Sequence, residues 1–168
     1  LKKIKIVLED ASIKKVGQNL KYDYIILKRH GIEITSIEDT MLLSYTLDAG
    51  LNRHNLDILA EIHLNHKTIT YKDLVGTGKK QLNFSDVDLE KATEYASEDA
   101  DVTLRLYKIL KTRLDEEKLN KIYEYFEKPM VKLLSQLEIN GIKIDEQYLR
   151  KLSKKFSERL KTIEKKIY

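Results

Sequence analysis

The stretch EYASEDADVTLRLYKIL, residues 94–110, carries four acidic side chains within eight positions. Carboxylates gathered so closely either form a solvated charged face or hold a cation. On a helix each residue advances by about 100°, which separates them. Glu94 and Asp101 fall on the side of Arg105 and Lys108, with Glu98 at its boundary, and a charged outer face accounts for all of these. Asp99 does not belong there. Its neighbours at helical spacing are Ala92, Tyr95, Ala96, Val102, Leu106 and Leu110, so it stands alone among the acids in the apolar stripe. A carboxylate aimed at an interior is costly unless a cation or hydrogen-bond donors meet it.

Asp23 shows the same anomaly, lying between Leu20, Ile26 and Leu27 at helical spacing. Two inward carboxylates on separate helices can share one divalent cation or help to hold two; for each acid alone, a helix cap or an internal salt bridge competes. Tyr95, one turn before Asp99, points its phenol toward the same volume. It either orients a water for attack or is a core tyrosine with its hydroxyl at the surface. Three further features point to blander roles. GTGKK (76–80) lacks the spacing and the Ser/Thr of a P-loop and reads as a basic loop. His63 and His66 have a spacing that binds zinc but no third ligand, so a polar helix end explains them better. Asp39, before TMLL, reads as a helix cap.

The elements that position these residues follow from periodicity and punctuation. LKKIKIVLED reads as a short amphipathic helix, KKVGQN (14–19) as a brief strand, and LKYDYIILKRHG (20–31) as a helix closed by Gly31. IEITSI alternates as a strand does, EDTMLLSYTLDAG (38–50) returns to helix, and RHNLDILAEIHLNH supplies another with Asn55 as its cap. The segment 71–84 is the most loop-like part of the chain. The long helix carrying Tyr95 and Asp99 is expected from Ser85 or Asp86 to about Leu114, and a second long one breaks or restarts near Pro129. After Gly141 and IKI, the last helix repeats Leu149, Leu152, Phe156, Leu160, Ile163 and Ile167 in a 3-4 rhythm, a narrow stripe suited to a protruding arm. A domain boundary is expected near residues 115–118.

Composition limits the partners. The 168 residues contain no cysteine, which removes disulfides and thiolate metal sites, and the net charge is +4. Residues 141–168 hold nine Lys/Arg against four Asp/Glu, a local +5 that fits an anionic partner or a solvated basic helix. No apolar run approaches the ~18 residues of a membrane span, and the opening residues lack the apolar core of a signal peptide. A cytoplasmic monomer is the expectation. Leu1 in place of an initiator Met is what a piece of a longer protein, or a processed product, is expected to show.

KVGQNLKYD (15–23) and YASEDADVTLRLY (95–107) resemble the second and third exonuclease motifs of the family A bacterial DNA polymerases. The segment between them is similar to that family's connecting region, and MVKLLSQLEINGIKID (130–145) resembles the start of its polymerase domain. The resemblance implies an α/β, ribonuclease-H-like 3′-5′ exonuclease fold truncated at its N-terminus (residues 1–117), mostly helical as it stands, then the all-α base of the polymerase thumb (118–168). It implies Asp23 and Asp99 as ligands of two divalent ions, Mg²⁺ or Mn²⁺, with Tyr95 positioning the attacking water. Gln18, Asn19, Tyr22 and Arg53 would bind DNA at a single-stranded or frayed primer 3′ end. The family's first motif, an acid-x-acid pair on a strand, is missing from the residues before Asp23. Little or no hydrolysis is therefore expected of this segment alone. Two other readings stay open: an RNA 3′ exonuclease resembling ribonuclease D, and a non-catalytic module that braces a polymerase.

Overall fold

Val102, Leu106, Leu110 and Leu114 recur every fourth residue, and in the computed structural model, which describes residues 2–78 and 81–167, all four are fully buried. They form one face of the longest helix. The elements in chain order are α1 (Lys2–Glu9), β1 (Lys15–Gly17), α2 (Leu20–Arg29), β2 (Ile37–Asp39), α3 (Thr40–Asp48), α4 (Leu56–Leu64), α5 (Tyr71–Val75), α6 (Leu89–Glu116), α7 (Asn120–Ile122), α8 (Lys128–Asn140) and α9 (Glu146–Ile167). A 3₁₀ turn at Phe84–Asp86 precedes α6, and a π-helical turn at Tyr123–Glu127 joins α7 to α8. The architecture is mostly helical with a small sheet.

Helix α6, 28 residues long, extends roughly 42 Å at about 1.5 Å per residue. Asp88 starts it by accepting from the backbone N–H groups of Glu90 and Lys91. Its buried face meets Leu43 of α3, Leu59 and Ala60 of α4, and Tyr123, each large side chain contributing about 1.5–3 kcal/mol by leaving water. A second cluster joins Leu20 and Tyr24 of α2, Ile34, Ile37 of β2 and Val131 of α8. The strands β1 and β2 are parallel, with Lys15 opposite Ile37, Val16 opposite Glu38 and Gly17 opposite Asp39, and α2 is their crossover helix. Helix α9 has no buried residue, and most of its apolar stripe is exposed.

Several boundaries differ from the sequence expectation, for local physical reasons. The alternating IEITSI contributes only Ile37 to a strand. Ile32 and Ile34 are buried, but the Thr35 N–H donates to the Leu8 carbonyl near the end of α1 and Ser36 adopts φ 53°, so alternation there reports burial and not pairing. Glu38 and Asp39 belong to β2 and not to the helix that follows. The segment 71–84 is not simply a loop: α5 forms because Thr70 and Asp73 make a reciprocal capping box. Of GTGKK, Lys79 and Lys80 lie outside the described residues. Helix α6 begins at Leu89 and not at Ser85 or Asp86, which are in the 3₁₀ turn. Asn55 sits at the N-cap position of α4 without a side-chain cap bond.

Two predictions follow from this packing. A Cβ on Gly17 would stand 2.3 Å from Leu20 Cδ2, and Leu20 is a core residue, so Gly17→Ala is expected to cost about 1–3 kcal/mol, read as a lower urea midpoint at unchanged slope. Arg113 holds Asp48 through bonds of 2.9 and 3.1 Å and, as the largest cause, keeps its carboxyl below the ordinary value of 3.8. A depressed folded value stabilises above the unfolded one, so this contribution is present above 3.8 and is lost as pH falls through the folded value. In acid titrations of stability, Asp48→Asn should remove that part of the low-pH loss.

Candidate functional site

A cleft of about 570 Å³ opens between the end of β1, the starts of α3 and α4, Tyr71 and the first half of α6. Tyr95, Asp99 and Thr103 line one wall because they are spaced one turn apart on α6. The same helix buries its apolar face from Val102 onward; Ala96 is exposed, so Asp99 sits where the stripe leaves the core and meets the cleft.

Asp99 is half-buried, and desolvation raises its carboxyl from the ordinary value. The nearby Tyr95 phenol lowers it in part, and the negative charges of Asp57 and Glu98 raise it further. Among the described residues no Lys, Arg or His forms an ion pair with Asp99. A desolvated carboxylate unmatched by a cation is one that a positive charge would relieve. Burial, then Asp99, pushes the Tyr95 phenol up to about 12. Tyr95 is therefore a protonated donor near neutral pH.

The opposite lip is built by one carboxylate. Asp39, 2% exposed, accepts from the backbone N–H groups of Asn19 at 3.0 Å, Leu20 at 2.7 Å and Met41 at 2.9 Å. Burial raises its carboxyl and these donors pull it back. Asp39 caps α3 as its sequence implies, and it also caps the start of α2, where Asn19 is held at φ 57°. Gln18 is committed at both ends of its amide, donating to the His54 carbonyl at 2.7 Å and accepting from the Thr40 hydroxyl. Gln18 and Asn19 line the cleft.

The other expected site residues are placed elsewhere. Asp23 is exposed, in the first turn of α2, and does not line the cleft with Asp99; the inward orientation expected from Leu20, Ile26 and Leu27 is not found, because Ile26 is itself exposed and the buried face of α2 runs through Leu20, Tyr24 and Ile25. Nearby protein still desolvates the Asp23 carboxyl and raises it. Tyr22 is 66% exposed. Arg53 borders a neighbouring hollow with Tyr45, His54 and Ile58, which shares Met41 and Asn55 with the cleft. Among the described residues no three His, Asp or Glu side chains gather as a metal cluster.

Glu98 corrects the reading of a solvated face. It accepts from His66 Nε2 at 2.8 Å and from the Ile69 N–H at 2.7 Å. Asp57 and Tyr71 also line the cleft, and neither stood out in sequence: Asp57 falls in the first turn of an ordinary helix, where an acid is common. Among the described residues His63 Nε2 is buried without a partner, and burial, then Arg113, lowers its pKa.

Comparison with known proteins places this geometry in context. A sequence profile of the family described as 3′-5′ exonuclease matches residues 1–115. The chain is 49% identical over 168 residues to DNA polymerase I of Rhizobium leguminosarum, covering 100% of this chain and 16% of that protein. It is 41% identical over 161 residues to DNA polymerase I of Borreliella burgdorferi, covering 95% and 17%, and 39% identical over 172 residues to DNA polymerase I of Pseudomonas aeruginosa, covering 100% and 19%. The chain thus spans less than a fifth of the length of these relatives.

Asp39→Asn is expected to cost about 1.5–3 kcal/mol, the loss of one charge-assisted acceptor, and to speed amide exchange at Asn19 and Leu20 more than along α6.

Proposed function

The chain belongs to the 3′-5′ exonuclease family of the family A DNA polymerases, and from that premise we propose that it is the exonuclease portion of a DNA polymerase I that removes nucleotides from a DNA 3′ end during proofreading. The observation that carries the reading is the cleft wall in which Asp99, half-buried and without a basic partner among the described residues, stands one helical turn from Tyr95 and shares the lining with Asp57. Its partner in this reading is DNA with a single-stranded or frayed primer end, acted on by a cytoplasmic monomer.

In this reaction water attacks the terminal phosphodiester, a P–O bond forms, and the 3′ oxygen leaves with a proton as a nucleoside 5′-monophosphate is released. Two divalent ions, Mg²⁺ or Mn²⁺, held by Asp99 with an acid-x-acid pair, would supply charge neutralisation and a more acidic water; Asp23, exposed on α2 and outside the cleft lining, would join them as a ligand only by turning toward the cleft. Tyr95, with its phenol at about 12, donates and orients; it does not remove the proton. Asn19, presented by the turn that Asp39 holds, and Tyr22 are disposed to meet the terminal nucleotides. Gln18, whose amide is engaged at both ends, supports that lip, and Arg53 meets a phosphate.

In the same reading β1 and β2 are part of a larger ribonuclease-H-like sheet, and the missing acid-x-acid strand makes this segment weak or inactive alone. The exonuclease domain ends near residues 115–118. Residues 118–168 begin the polymerase domain at the base of its thumb, with Tyr123 and Val131 packed back onto the exonuclease core.

Mn²⁺ titrated into the chain is expected to broaden the NMR signals of Tyr95 and Ala100, and Asp99→Ala to abolish that broadening; broadening that survives the substitution removes Asp99 as a ligand. Matched DNA and RNA oligonucleotides, offered to the chain joined to an acid-x-acid strand, should lose 3′ nucleotides faster from DNA. Faster loss from RNA assigns the site to RNA trimming, and no loss from either leaves a bracing module.

A further inference from the structure

Residues 65–70 form a strap, neither helix nor strand, that crosses from the end of α4 to the cap of α5. It begins at Asn65, whose φ of 49° turns the chain away from the helix. Glu98 grips it by both oxygens, one receiving His66 Nε2 at 2.8 Å and the other the Ile69 N–H at 2.7 Å. Asp57 grips it from α4, receiving the Thr68 hydroxyl at 2.7 Å.

What the strap delivers is the aromatic wall of the cleft. Thr70 caps α5, and Tyr71 follows at once. Tyr71 stacks on Phe84 with ring centres 6.3 Å apart and meets Tyr95 edge-on at 6.4 Å. Neither Tyr71 nor Phe84 is anchored in the core, being 46% and 43% exposed, and Val75 is the residue that α5 buries. Val75 anchors the far end of α5, so the placement of Tyr71 at its near end depends on the strap that leads to it. We infer that Glu98 is a positioning residue, holding the strap so that Tyr71 stays edge-on to Tyr95 and the two rings keep their places in the wall of the cleft.

A carboxylate suits this task because both strap contacts are donors. Glutamine offers one acceptor and one donor, so Glu98→Gln retains the Ile69 bond and keeps the His66 bond only if the imidazole presents Nε2 as an acceptor. The inference concerns the placement of Tyr71 and Tyr95; its consequence for DNA rests on the exonuclease reading.

The test uses the whole chain with ¹³C-labelled tyrosine rings, amide exchange, and binding of a fluorescent single-stranded oligothymidylate in the absence of metal. Glu98→Ala should accelerate exchange at Ile69 by about tenfold or more, the factor a charge-assisted hydrogen bond represents. It should shift or broaden the Tyr71 and Tyr95 ring signals and weaken oligothymidylate binding by about tenfold, with exchange along residues 102–114 unchanged. Glu98→Gln should restore the Ile69 protection and most of the binding. His66→Ala, which removes one tether, should give a smaller shift of the same rings and serves as the decisive variant if Glu98→Ala does not fold. Unmoved Tyr71 and Tyr95 signals in a variant whose strap has been released would overturn the inference. A parent chain that fails to bind oligothymidylate would count against the exonuclease reading and leave the ring signals to decide the role of Glu98.

Discussion

Three backbone N–H groups from the beginnings of two helices converge on the buried carboxylate of Asp39, and most of what positions the cleft descends from that convergence. The first turn of any helix leaves N–H groups without partners and carries partial positive charge. Here one acid answers α2 and α3 together. Because Asp39 lies opposite Gly17 in the parallel pair, capping α2 also fixes the turn at Gln18 and Asn19 that forms the cleft lip. The absence of a side chain at Gly17 is part of the same arrangement, since Leu20 fills the space a Cβ would need.

The backbone of Asp39 ties this junction to the later part of the chain. Its N–H donates to the hydroxyl of Tyr123 at 3.0 Å, and the Tyr123 ring is fully buried among the residues that pack on α6. Lys128 bridges Glu38 and Glu124 at 2.9 Å each, while Lys111 and Lys128 both stand 5.6 Å from the Tyr123 ring centre. A buried acid such as Glu38 is tolerable only with such a partner, although its second oxygen remains unpartnered. The π-helical turn that carries Tyr123 is what a helix does when one side chain must be aimed off its regular register. Residues 119–131 are thereby bound to the strand that holds the lip, so displacement of that segment would be felt at Asp39.

Helix α6 has two tasks along one axis. From Val102 to Leu114 its inner face is core; one turn earlier the same face emerges at the cleft and presents Asp99 and Tyr95. The rigidity of the packed half supports the open half, which has only the strap at 65–70 and the aromatic wall to steady it.

Much of this was legible from residue order alone. The apolar repeat through Val102, Leu106 and Leu110 and the placement of Tyr95 and Asp99 one turn apart depend only on helical periodicity, a local property. So do the strand at 15–17, the stop at Gly31 and the exposed stripe of the last helix. The capping of α3 by Asp39 was equally local, since an acid two residues before a backbone N–H is enough to suggest it. Tertiary structure decided the rest. That Asp39 serves a second helix nineteen residues earlier, that Glu98 binds a strap some thirty residues away, and that Asp23 faces solvent all depend on which elements meet. The alternation in IEITSI reported burial correctly and pairing wrongly, because a strand needs a partner at the right register and burial does not. Periodicity determines which side of an element is apolar; only the assembled fold determines which donors a carboxylate on the other side will find.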